Sequence, residues 1–273
     1  MTQQADKRTS LDALAQAIPN GALLAVPADY GGVPMAATFA LIRRNIRDLR
    51  LVAAPTSGLQ ADLLIGAGRV AAIEAAGVSL GEYGQANRFR AAVAAGTIQI
   101  KDATCPALHA AFQAAEKGVP FLPLRGILGS DLLVHRNDWK AIQNPLADVP
   151  DPIVLIPAIH PDVALFHAPL ADRFGNVWIG VRRELASIAH AAKRTLVTVE
   201  TLHPGNLLDD PLYAPGTLPH LYVEAVAEVP GGTWPLAFHD AIPADETALM
   251  RYSEASRKQA DFDSLLAEWL HDL

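Results

Sequence analysis

Apolar positions in this chain alternate between two rhythms. Short runs of four to six apolar residues, too short for buried helices and bounded by Gly, Pro, Asn or Asp, read as strands at residues 22–26, 49–53, 62–65, 98–101, 153–158 and 163–166. Between them, apolar positions recur at helical spacing over residues 11–17, 35–44, 87–94 and 106–116. Ser10 is placed to cap the first of these helices, and Pro19-Asn20-Gly21 ends it. From 119 to 144 the pattern breaks into Gly- and Pro-punctuated pieces. The segment 166–201 then reads as strand, polar turn (Asp172-Arg173-Phe174-Gly175-Asn176), short strand, alanine-rich helix and strand. A strand at 222–229, an irregular stretch at 230–243 and two helices at about 245–256 and 262–271 complete the chain.

This order of β and α pieces predicts an α/β fold, with an open, mostly parallel sheet flanked by helices and a C-terminal helical extension. No repeat, low-complexity linker or composition shift divides the chain. The expectation is therefore a single domain over residues 1–273, with its core at about 20–229 and the extension at about 244–273.

Composition narrows the function classes. Apolar residues make up 51% and charged residues 19%, with a mean hydropathy of +0.18, enough for a large core and suggestive of a covered interface. A net charge of −7 with no basic run argues against nucleic-acid binding. No run reaches the length of a membrane span, and the charged N-terminus lacks the apolar stretch of a secretory signal. The single cysteine, Cys105, rules out an internal disulfide and fits a reducing compartment, so the chain is expected in the cytoplasm. Beside Pro106, Cys105 reads as a small buried hydrophobe or as a helix-start thiol.

Several segments carry candidate chemistry. The turn at 29–34, with Gly31-Gly32 between a strand and a helix, lies where open α/β sheets bind ligands through backbone N–H groups. Residues 66–71 match G-x-G-x-x-A, but they fall at the third strand instead of the first βαβ unit, and Glu82 comes too early for the ribose acid, so a dinucleotide site is rejected. Residues 77–81 match G-x-S-x-G without the strand and helix that a nucleophile elbow needs. Glu82, between Gly81 and Gly84, is a carboxylate on a short loop and reads as a nucleophile, a general base, a substrate-positioning group or a solvated loop acid. His160, Asp162 and His167 are metal ligands by type, but H-x-x-x-H and H-E-x-x-H are absent, so no metal is expected.

His167, Ala171, Asp172, Gly175, Asn176, Ala191-Ala192-Lys193-Arg194 and Glu200 together form a longer pattern. It resembles the family I coenzyme A transferases, in particular the α (A) subunits of the glutaconate CoA-transferase type. The resemblance extends over about residues 20–256, through Glu82, Gly84, Asn87, Phe89, Arg90 and Gly96, through Gly126 to Leu132, and through Tyr222 to Gly232. It departs at Val33-Pro34, at Trp234 and over 236–242. The resemblance implies that Gly31, Gly32 and Val33 line the substrate thioester, that Gln85 and Arg88 contact its polar groups, and that the Glu82 loop faces the cleft.

The same resemblance implies CoA transfer between carboxylates through a glutamyl-CoA intermediate, with no cofactor beyond the CoA of the substrate. The family's nucleophile lies in a Ser-Glu-Asn-Gly motif on the β subunit, and that motif is absent here. The expected assembly is therefore a hetero-oligomer with a β subunit. Two alternatives stand beside it: a CoA-thioester hydrolase on the same scaffold using Glu82, and a non-catalytic ligand-binding or assembly protein.

Overall fold

The computed structural model describes residues 5–239 and 241–272; the first four residues, on which the N-terminal reading partly rests, Asp240 within the 236–242 stretch, and Leu273 lie outside the described residues. In chain order, the first half contains α1 (Leu11–Gln16), β1 (Leu23–Pro27), α2 (Met35–Arg43), β2 (Leu49–Ala54), α3 (Leu59–Gly66), β3 (Val70–Ala75), α4 (Asn87–Ala95), β4 (Gln99–Asp102), α5 (Cys105–Glu116) and β5 (Phe121–Leu124). The second half contains α6 (Leu132–His135), β6 (Lys140–Gln143), β7 (Pro152–Pro157), β8 (Val163–Asp172), β9 (Val177–Trp178), α7 (Arg183–Ala191), β10 (Thr195–His203), β11 (Thr217–Leu218), β12 (Ala225–Glu228), α8 (Glu246–Ala255) and α9 (Gln259–Asp272).

The main sheet runs β12-β10-β8-β1-β2-β3-β4 with every pair parallel. β9 and β11 add antiparallel beside the C-terminal half of β8. β5, β7 and β6 form a separate antiparallel sheet. From β1 the order grows outward through β2 to β4, and from β8 through β10 to β12. The winding therefore reverses between β1 and β8, and such a switch point opens a crevice beyond the strand ends.

Period-two alternation divides each central strand between two cores. Leu24, Val26, Leu49, Leu51, Ala53, Val163 and Leu165 face one layer, built from α1, α2, α3 and the C-terminal helices. Ala25, Val52, Ala54, Ala164 and Phe166 face the other, built from α5, α7 and the small sheet. Burial on both faces explains why these strands read as unbroken apolar runs.

One expected strand is a helix. Residues 62–65 belong to α3, whose side chains from Leu59 to Ile65 are all buried, so it lacks the polar stripe that marks an amphipathic helix. The turn at Gly66-Ala67-Gly68 accordingly leaves a helix and leads into β3, the third strand. β12 is shorter than the expected 222–229, because 220–222 form a helical turn. Cys105 is exposed at the first turn of α5, so its reading as a buried hydrophobe does not hold.

Caps explain several helix starts. Ser10 accepts from the N–H of Ala13, Thr104 from that of Ala107 and Asp245 from that of Ala248. α3 has no local cap, since its N-cap residue is Gly58. Its cap comes from Asp29, whose Oδ2 accepts from the N–H of Leu59 at 3.0 Å.

Candidate active site

At the C-terminal ends of β1, β2 and β3 the connecting loops enclose a cleft of about 510 Å³. Asp29 and Tyr30 come from the first loop, Ser57 and Gly58 from the second, and Gly77 to Tyr83 from the third. Leu236, Ala237, Ala244 and Leu249 close it from the C-terminal side.

Glu82 lies on the single helical turn Gly81–Tyr83 and is exposed at the mouth of this cleft. Its loop is tightly closed: Leu80 donates to the carbonyl of Gly84 at 3.1 Å, and the N–H of Gly81 donates to Oγ of Ser79 at 3.1 Å. Gly81 and Gly84 both take positive φ, which lets the chain turn so sharply here. The carboxylate is thus presented to solvent at the cleft mouth on a short, constrained support.

Asp29 sits deeper. Burial pushes its carboxyl up to about 6, against the pull of the backbone N–H groups of Leu59 and Gly58. Its Oδ1 and the Oγ of Ser57 are both buried with no hydrogen-bond partner among the described residues. Gly58 admits no side chain, since a Cβ would fall 2.1 Å from Oδ2 of Asp29 and 2.5 Å from the carbonyl of Ser79. Beside it, the exposed ring of Tyr30 carries the guanidinium of Arg182 at 5.2 Å.

The glycine pair plays a different part. Gly31, Gly32 and Val33 are all buried. The carbonyl of Gly32 accepts from the N–H of His167 at 2.8 Å, and a Cβ on Gly32 would lie 2.2 Å from the carbonyl oxygen of His167. In this chain the turn packs against the middle of β8, while its neighbours Asp29 and Tyr30 reach the cleft.

Of the two polar side chains expected to meet substrate, Gln85 is exposed on the Glu82 loop and bonds Arg90. Arg88 is not brought to the cleft. It is 6% exposed, donates to Gln259 at 2.8 Å and stacks over Phe262. A Cβ at Gly66 would lie 2.6 Å from its side chain, so α3 gives way to it.

The 167–200 pattern forms a support behind the cleft. His167 is fully buried; Nδ1 lies 2.8 Å from the hydroxyl of Thr198 and Nε2 2.7 Å from Oε1 of Glu200. Burial lowers the pKa of His167, although Glu200 opposes this. Burial works against ionisation of Glu200 too, but the bonds from His167 and from the N–H groups of Gly231 and Gly232 hold its carboxyl below the usual range. The pair is therefore a neutral imidazole donating from Nε2 to a carboxylate, with the Thr198 hydroxyl donating to Nδ1. Asp172, fully buried, accepts from the N–H groups of Phe174, Asn176 and Leu207 and from Nδ2 of Asn176. That network fixes the polar turn.

Asp162, considered as a ligand, instead bonds Lys193 at 2.8 Å and the N–H of Leu23 at 2.9 Å. Among the described residues no group of three or more His, Cys, Asp or Glu is arranged to hold a metal ion. None of the described helices is long and apolar enough to cross a membrane.

Residues 8–228 match the family model described as coenzyme A transferase. The chain is 31% identical over 287 residues to the A subunit of glutaconate CoA-transferase from Acidaminococcus fermentans, covering 97% of this chain and 88% of that one. It is 32% identical over 276 residues to the A subunit of 3-oxoadipate CoA-transferase from Pseudomonas knackmussii, covering 97% and 94%. The crystal structure of the Acidaminococcus fermentans glutaconate enzyme superposes with a TM-score of 0.89 at 29% identity, covering 98% of this chain and 89% of that one.

Proposed function

Since the chain belongs to the coenzyme A transferase family and follows A-type subunits over nearly its whole length, we propose that it is the α subunit of an enzyme moving CoA from an acyl-CoA to a free carboxylic acid. A β subunit supplies the attacking glutamate, because the motif that carries it is absent from this sequence. That carboxylate adds to the thioester carbonyl and expels CoA as thiolate, leaving a mixed anhydride. The thiolate then attacks the glutamyl carbonyl, releases the donor acid and forms glutamyl-CoA. The acceptor acid reverses the two steps, so one difficult acyl transfer is divided into several easier ones.

The observation that carries this reading is the cleft at the C-terminal ends of β1, β2 and β3 with Glu82 at its mouth. Glu82 polarises or deprotonates the groups that enter, and Asp29 and Tyr30, carried by the buried turn Gly31-Gly32-Val33, shape the wall next to the thioester. Gln85 stands on the same loop as a polar contact; Arg88 acts from behind by packing α3 against α4. CoA enters as part of the substrate and no further cofactor is invoked. The chain works as one unit over residues 1–273 in the cytoplasm, within a hetero-oligomer.

The test is co-expression with a β subunit bearing Ser-Glu-Asn-Gly, followed by acyl-CoA assays with and without an acceptor acid. Glutaconate and 3-oxoadipate, the acids in the relatives' names, are the first acceptors to try. New acyl-CoA formed only with acceptor supports the reading; free CoA released at the same rate without acceptor overturns it in favour of hydrolysis. Unchanged transfer by Glu82→Gln removes Glu82 from the mechanism.

A further inference from the structure

The loop that carries Glu82 is held from outside by one face of α8. Oγ of Ser253 donates to the carbonyl of Tyr83, the residue after Glu82, at 2.6 Å. The carbonyl of Ser253 accepts from Nδ2 of Asn87 at 3.2 Å, and the same Nδ2 reaches Oγ of Ser256 at 3.0 Å. One turn of helix thus grips both the tip of the loop and the start of α4 that follows it. Tyr252 fastens this turn to the core: its hydroxyl donates to Oδ2 of Asp62 at 2.8 Å, and Oδ1 of Asp62 accepts from the N–H of Phe89 at 2.7 Å. Leu249 of α8 and Ala244 just before it also line the cleft that Glu82 faces.

We propose that Ser253 is a positioning residue for the reaction, and that α8 is a strut setting where the Glu82 carboxylate stands relative to the bound thioester. This rests on the role of Glu82 proposed above. The internal bonds of the loop fix its shape, and Ser57 ties its base to the neighbouring loop through Gly77 and Ser79 at 3.2 Å, but neither set anchors the tip at 82–83 to the rest of the fold. The Ser253–Tyr83 bond acts on the backbone one residue from Glu82 and supplies the missing constraint. A carboxylate that drifts by an ångström loses most of its effect on a reacting carbonyl.

The experiment compares Ser253→Ala, Ser253→Thr and Glu82→Gln, singly and as the Ser253→Ala/Glu82→Gln double variant, each assayed for CoA transfer after co-purification with the β subunit. Ser253→Ala is expected to lower kcat by roughly 10- to 100-fold, with KM within about twofold and an unchanged melting temperature. Ser253→Thr, which keeps the hydroxyl, is expected to restore most of kcat. In the Glu82→Gln background, Ser253→Ala is expected to change the residual rate by less than about twofold, as residues acting as a unit do. Full activity in Ser253→Ala together with a large loss in Glu82→Gln overturns the strut and leaves the role of Glu82 standing. Full activity in Glu82→Gln overturns both. An equal loss from Ser253→Ala with and without Glu82, or one that Thr does not rescue, assigns α8 to general stability and overturns the proposal. If Ser253→Ala does not assemble, the Ser253→Thr and Ser253→Cys kcat values decide: Cys below Thr by at least fivefold supports the strut, and equality overturns it.

Discussion

Nε2 of His167 lies 2.7 Å from Oε1 of Glu200, while Oε2 of the same carboxylate accepts from the N–H of Gly231 at 2.8 Å. Through that one carboxylate the centre of the sheet holds the Gly231-Gly232 loop, and behind it the 234–238 stretch whose Phe238 ring meets His167 edge-on at 4.8 Å. Leu236 of that stretch lines the cleft. The buried histidine therefore supports the wall of the cleft from behind.

Glu200→Ala leaves both Nε2 of His167 and the N–H of Gly231 without a partner. The expected cost is about 1–3 kcal/mol of stability, from the one buried donor left unpaired at His167, since the exposed N–H of Gly231 can turn to water; urea unfolding of the purified protein reads it. Activity of the assembled enzyme should fall together with folded fraction.

Gly232→Ala tests the same joint by volume. The new Cβ would lie 2.8 Å from the carbonyl of Val229 and 2.9 Å from Cε1 of His167. A backbone and a locked ring cannot retreat, so a loss of about 1–3 kcal/mol is expected, with a melting temperature below wild type.

Burial raises the Asp62 carboxyl to about 6, against the N–H of Phe89 and the hydroxyl of Tyr252 that bond it. Because the folded value lies above the unfolded one, near 4, the folded state binds the extra proton. The contribution of Asp62 is full below pH 4 and is lost as pH rises through 6. Asp62→Asn, which does not titrate, should therefore gain on wild type by about 2 kcal/mol between pH 4 and pH 7.5. Parallel melting curves of the two proteins over that range check it; a constant difference refutes it.

Asp172→Ala removes the acceptor of four hydrogen bonds in a fully buried turn. A loss of at least about 3 kcal/mol is expected, enough to leave much of the protein insoluble, whereas the exposed neighbour Arg173 should tolerate Ala. The soluble yields of the two variants give the comparison.

The sequence made the α/β alternation and the 167–200 segment legible, because strands buried on both faces and a Gly-Asn turn carry local signatures. α3 was not legible as a helix: Leu63, Leu64 and Ile65 face packed neighbours on every side, so the periodicity that identifies helices is absent. Its cap was equally hidden, since Asp29 reaches it from another loop. The Glu82 loop could be placed by its flanking glycines. The resemblance implies a substrate contact for Arg88, yet its place on α4 sends its side chain to Gln259 and Phe262. The brace from α8 depends on contacts across about 170 residues, and no local pattern announces such a pairing.

That distance gives the molecule a temporal order. On the ribosome, the loop bearing Glu82 emerges long before the residues that steady it, and every contact from Tyr252, Ser253 and Ser256 waits until α8 has been made. A nascent chain with its sheet formed therefore still carries an unsteadied carboxylate over an incomplete cleft. The residues of α8 and α9 that meet the sheet's helical layer, among them Leu249, Tyr252 and Phe262, are absent from the chain until those helices are made. The C-terminal helices thus complete the cleft as well as the fold.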